Sequence, residues 1–86
     1  TVTIRPARPA DTEAGAALAR ELNALMGDPV EHFTPERVAA DAFGPEPAFE
    51  LIVAEDVDGA LVGYALFVDA YETGWAARGL YVQDLT

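Results

Sequence analysis

From Thr1 to Pro6 the side chains alternate, with Val2 and Ile4 on one side and Thr3 and Arg5 on the other. A period of two is that of a β-strand, and Pro6 and Pro9 end it. The period then lengthens. Ala14, Ala17, Leu18, Leu22 and Leu25 recur at helical spacing. Asp11 suits the N-cap of that helix and Glu13 the positive end of its dipole. Gly27, Asp28 and Pro29 stop it. Thr34-Pro35-Glu36 announces a second helix, with a capping hydroxyl, a proline for the first helical position and an acid for the first turn. Val38, Ala39, Ala42 and Phe43 form its expected buried stripe, and Gly44-Pro45 closes it.

The period returns to two over Phe49–Glu55. Asp58-Gly59 is a hairpin signal and leads into a second β-rich run, Ala60–Asp69. Gly63, inside that run, marks a bulge or a close backbone approach. Ala70–Gly79 reads as a loop carrying three contact residues, Tyr71, Trp75 and Arg78, and Leu80–Thr86 reads as a strand. The order strand, helix, helix, strand, strand, strand predicts an α+β fold, two helices on an antiparallel sheet. A last strand with nothing to follow it would present an unpaired edge. The pattern therefore predicts a domain truncated within its fourth strand.

Composition narrows the function. At 86 residues the chain is one domain at most, and an apolar fraction of 51% is ample for a core. Fifteen acids stand against five arginines, with no lysine, for a net charge of −10. Such a surface repels phosphate backbones and anionic lipid, so neither nucleic acid nor membrane is an expected partner. It suits a cationic substrate, or serves solubility alone. The absence of cysteine removes disulfides, thiolate catalysis and cysteine metal sites. There is no basic-then-apolar signal pattern and no apolar run of membrane-spanning length, so a cytoplasmic protein is expected.

Candidate chemistry is sparse. No phosphate-cradling glycine loop is present, since Gly44-Pro45 and Gly59 stand in turns. His32 is the only histidine, which excludes a His-rich metal site. It reads as a surface or cap residue, or as a base. Asp28 and Glu31, between the helices, form either a solvated turn or a rim that attracts an amine. Trp75 is a lid over the core or a ligand platform. Gln83 and Asp84 are neighbours in a strand, so they face opposite sides and share one pocket only if the strand is distorted. If Leu80 and Val82 point to the core, Asp84 joins them. If Tyr81, Gln83 and Leu85 do, Gln83 needs a partner instead.

The segments Ile4-Arg5-Pro6-Ala7, Asp11, Asp41-Ala42-Phe43-Gly44, Phe49–Glu55, Leu61-Val62-Gly63-Tyr64-Ala65-Leu66-Phe67 and Tyr71-Glu72-Thr73 through Arg78–Leu85 come in a fairly specific order and spacing. In this the chain resembles the N-terminal half of the GCN5-related N-acetyltransferases, within them the diamine acetyltransferase-like branch, over nearly its whole length. The resemblance implies transfer of an acetyl group from acetyl-CoA to a primary amine of a small molecule, by a homodimer. It implies catalytic positions at Gln83 and Asp84 and a cofactor wall at Gln83, Asp84 and Leu85. There, backbone groups would polarise the thioester carbonyl. It implies an acceptor side formed by Asp28, Glu31, Tyr71, Trp75 and Tyr81. In one respect the chain departs from the branch, which carries Glu before this Asp. Gln83 takes no proton at neutral pH. The family's pyrophosphate loop would begin soon after Thr86, so the acceptor-side half alone is expected to be inactive. The alternative expectation is a non-enzymatic interaction domain that dimerises through its open terminal strand.

Overall fold

A computed structural model describes residues 1–86. Its elements are β1 (Thr3–Pro6), a 3-10 turn (Pro9–Asp11), α1 (Thr12–Leu25), α2 (Pro35–Phe43), β2 (Glu50–Glu55), β3 (Leu61–Glu72) and β4 (Ala77–Leu85). The sheet runs β1-β2-β3-β4 with every neighbouring pair antiparallel. The element order and the α+β class are those expected from the sequence. No helix is long and apolar enough to cross a membrane.

Both helices pack on one face of the sheet. The core joins Ala16 and Ala19 of α1 and Val38 of α2 to Leu51, Val53, Tyr64 and Leu66. Leu51 pairs with Leu66 and Val53 with Tyr64, so the period of two delivers these four to the same side. The stripe of α1 has a different phase from the one predicted. Gly15, Ala16 and Ala19 face inward, Leu18 and Leu22 flank them, and Ala14, Ala17 and Leu25 are exposed. Small inward residues let the helix settle close to the sheet; the Cβ direction of Gly15 meets Leu51 Cδ2 at 3.7 Å. In α2, Val38 is fully buried and Ala42 packs beside it, but Ala39 is exposed. The α2 cap forms as read, with Thr34 Oγ1 accepting from the Arg37 N–H at 3.2 Å.

Asp11 precedes α1 but does not cap it with its side chain. Its carboxylate accepts instead from Arg5 Nη1 and Nη2, at 2.8 and 3.0 Å, and from the Arg8 N–H at 2.7 Å. Arg5 also donates to Glu55 at 3.1 Å. Arg5 lies on the helix-covered face of β1, and its guanidinium ties the entry of α1 to β2. Ile4, its neighbour, points to the open face of the sheet and is 67% exposed.

The Asp58-Gly59 hairpin closes with Gly59 at φ +84° and with Asp56 Oδ1 accepting from the N–H groups of Asp58 and Ala60. Gly63 fulfils both readings of its position. It adjoins a register shift at Ala54/Glu55, and a Cβ on it would stand 2.6 Å from the Thr86 carbonyl oxygen. Ala70–Gly79, expected as a loop, is mostly strand. The ladder continues from Asp69↔Leu80 to Glu72↔Ala77, leaving only Thr73–Ala76 as the turn. The two glycines and the mixed polar residues hid the alternation. Residues 69 to 83 are exposed and form an arm beyond the core.

Candidate functional site

Three elements converge on one cleft of about 440 Å³. Ala19 and Asn23 of α1 form one wall, with Asp28 and Phe33 from the connection to α2. Ala48 and Phe49 form the entry to β2, and Leu66 and Val68 of β3 the floor. Gln83 and Asp84 of β4 complete the lining. Phe33 and Phe49 meet with ring centroids 6.0 Å apart, tilted by 43°. The lining therefore offers an aromatic shelf, two carboxylates, two carboxamides and no cation.

The presence of both Gln83 and Asp84 in one cleft has a local cause. Val82 pairs with Phe67, but the next β3 residue, Leu66, pairs with Asp84. Gln83 is an inserted residue with no partner, which is a β-bulge. A regular strand would have sent Asp84 to the open face. The bulge resets the phase, so Asp84 joins Leu66 on the helix-covered side while Gln83 turns into the same cleft. This is the distortion that the sequence reading required for the two side chains to meet.

Asp84 is held from behind. Tyr64, 3% exposed, donates its phenolic O–H to Asp84 Oδ2 at 3.0 Å. Burial, and then the hydrogen bond to this carboxylate, push the Tyr64 phenol well above its ordinary range, so it stays a donor at all working pH values. A carboxylate in a cleft without a cation, beside an aromatic shelf, can attract a protonated amine and take its alkyl chain against the rings.

No family model matches the chain. It is 32% identical over 94 residues to the thialysine N-epsilon-acetyltransferase of Sus scrofa, covering 99% of this chain and 54% of that protein. It is 32% identical over 93 residues to the Bos taurus protein of the same name, covering 98% and 54%. The chain thus spans about half the length of the curated relatives it matches. Among solved structures, the ribosomal-protein-alanine N-acetyltransferase of Brucella melitensis biovar Abortus 2308 matches with a TM-score of 0.70 at 24% identity, over 99% of this chain and 55% of that one. The chain carries a partial GCN5-related N-acetyltransferase fold.

Within this partial acetyltransferase fold, the cleft brings together three of the residues singled out from the sequence, Asp28, Gln83 and Asp84. The others lie elsewhere. Leu85 pairs with Ala65 and points to the open face, 73% exposed, where it lines an apolar groove with Ile4, Ile52 and Phe67. Glu31 turns back on its own loop, accepting from the Val30 N–H and meeting His32 Nε2 at 3.2 Å. Tyr71 stands opposite Arg78 on the arm, in strand rather than loop. Trp75 is at the tip of the arm, 84% exposed, and Tyr81 stands opposite Val68, 60% exposed. Asn23, Phe33, Phe49 and Tyr64 were not singled out. The signal for Asn23 was its place seven residues after Ala16 on the inward phase of α1. For Tyr64 it was a phenol two residues before Leu66 on an otherwise apolar strand face.

Proposed function

We propose that the protein carrying this chain transfers the acetyl group of acetyl-CoA to a primary amine of a small molecule. Residues 1–86 then form the acceptor-side half of a single domain. The observation that carries this reading is the bulge at Gln83, which turns Gln83 and Asp84 into one acidic, aromatic-lined cleft. The N-acetyltransferase names of the relatives support the reaction class.

On this reading Asp28 and Asp84 draw the cationic amine into the cleft, and Phe33 and Phe49 take its alkyl part. Asp84 is the group able to receive the proton the nitrogen sheds on attack, because Gln83 has no basic oxygen at neutral pH. Acetyl-CoA is the second substrate and supplies an activated thioester. Gln83 has no register partner on β3, and on this reading its backbone N–H turns to the oxyanion that forms on that carbonyl. The cleft lining fits the reacting end of the cofactor. It offers no cation for the pyrophosphate, which must be held by residues beyond this half. A cytoplasmic homodimer completes the proposal. The alternative, a non-enzymatic interaction domain, finds no support among the relatives.

The test is release of free CoA thiol by the whole protein with acetyl-CoA and a panel of primary amines, including thialysine and linear diamines. Acetyl-CoA titrated calorimetrically should bind the whole protein and not residues 1–86 alone. A folded whole protein that releases no CoA with any amine would refute the proposal.

A further inference from the structure

We infer that Tyr64 is a positioning residue for Asp84, fixing which carboxylate oxygen faces the acceptor amine. This rests on the acetyltransferase reading of the cleft and adds to it a residue that does not line the cleft at all.

The placement follows from the register. Tyr64 and Asp84 occupy the same face of the sheet, on a diagonal across β3 and β4, since Asp84 pairs with Leu66. A diagonal pair is within reach of a long aromatic side chain. The phenol reaches Oδ2 at 3.0 Å, which leaves Oδ1 for the cleft. The Tyr64 backbone grips the same segment a second time. Its N–H donates to the Thr86 carbonyl at 3.3 Å, and its carbonyl accepts from the Thr86 N–H at 3.0 Å. One residue thus holds β4 on both sides of Leu85, immediately after the bulge.

Core packing alone does not account for the hydroxyl. Phenylalanine would fill the same buried volume, and a buried hydroxyl is costly unless bonded. Asp84 is the one partner it has. A carboxylate beside an unpartnered inserted residue would otherwise be free to swing out of the cleft. The phenol removes that freedom and remains protonated while the amine substrate loses its own proton, so the bond persists through the pH range in which free amine is available.

The experiment is steady-state kinetics of the whole protein as wild type, Tyr64→Phe, Asp84→Asn and the double variant, with folding checked by circular dichroism. For Tyr64→Phe, kcat/KM for the amine should fall about tenfold or more, the size of one hydrogen bond to a charged group. The KM for acetyl-CoA should stay within twofold. Added to Asp84→Asn, the Tyr64 change should cost nothing further. An unchanged kcat/KM in Tyr64→Phe overturns the inference, and so does an equal loss in both Asp84 backgrounds, which marks a merely structural role. If Tyr64→Phe does not fold, Tyr64→Met, which also removes the hydroxyl, takes its place in the same cycle and is read by the same outcomes. A wild type that acetylates no amine overturns the acetyltransferase reading and this inference together, whereas an active wild type indifferent to Tyr64 overturns this one only.

Discussion

Deleting Gln83 would make β4 regular without moving Asp84. Val82 already faces Phe67 and Asp84 already faces Leu66, so removing the inserted residue joins two paired positions into an unbroken ladder. The Tyr64–Asp84 hydrogen bond would survive. What disappears is the inserted residue and with it its backbone N–H. If that N–H stabilises the oxyanion, its loss costs about 10²–10³ in kcat, or roughly 2.7–4 kcal/mol. Gln83→Ala is the matched control, because it keeps the bulge and removes only a side chain that makes no hydrogen bond within the structure. One hydrogen bond from that carboxamide to substrate would be worth about 1 kcal/mol, near fivefold. Steady-state CoA release by the whole protein compares the two. The reasoning fails if Gln83→Ala costs as much as the deletion, since the side chain would then carry what is assigned here to the backbone.

Two further outcomes concern stability. Val38→Ala removes two methyl groups from a fully buried site on α2, which should cost about 2 kcal/mol from transfer and cavity together. Ala39→Ser, one residue on and exposed, should shift the urea midpoint by almost nothing, and equal shifts would contradict the observed phase of the helix. Arg5 holds the Asp11 carboxyl below its ordinary value, first through its hydrogen bonds. A carboxylate with a depressed folded-state value contributes stability above its unfolded pKa of about 3.9 and loses it as pH falls through the folded value. Acid unfolding should therefore steepen below about pH 4 and be blunted in Asp11→Asn, as read by urea midpoints between pH 2 and 6.

The element order was legible because its punctuation is strong. Thr34-Pro35-Glu36, Gly44-Pro45 and Asp58-Gly59 each have one local meaning, and each stands where expected. The phase of α1 was not legible, because alanines at 14, 16, 17 and 19 satisfy more than one helical stripe. Packing against the sheet selects the stripe of Gly15, Ala16 and Ala19. Asp11 stands at the N-cap position of α1 as its sequence context predicts, but a local rule does not reveal that its carboxylate is taken by Arg5, which β1 brings alongside, and by the Arg8 N–H. Tyr71 and Trp75 read from the sequence as aromatic residues of one loop, but only Trp75 lies in the turn and Tyr71 is in the ladder. The extended ladder puts both on the arm, away from the cleft.

The bulge explains a pattern that neither strand phase could satisfy. From Leu80 to Leu85 the side chains run Leu, Tyr, Val, Gln, Asp, Leu. A regular strand that puts Val82 on the open face puts Asp84 there too, leaving a carboxylate on an apolar surface and Leu85 under the helices. The opposite phase buries Leu80 and Val82 beside Asp84 and brings Tyr81 and Gln83 outward. One inserted residue sorts both ends at once. Leu80, Val82 and Leu85 all face the open side with Ile4, Ile52 and Phe67, while Gln83 and Asp84 both enter the cleft. Two adjacent polar residues flanked by apolar ones at 82 and 85 are thus the sequence trace of the bulge. The rule extends to a test within this chain. Exchanging Val82 with Gln83 makes residues 81 to 85 alternate without changing composition, which removes the adjacent polar pair and should weaken the pairing of Asp84 with Leu66, read by nuclear magnetic resonance as loss of their cross-strand contact.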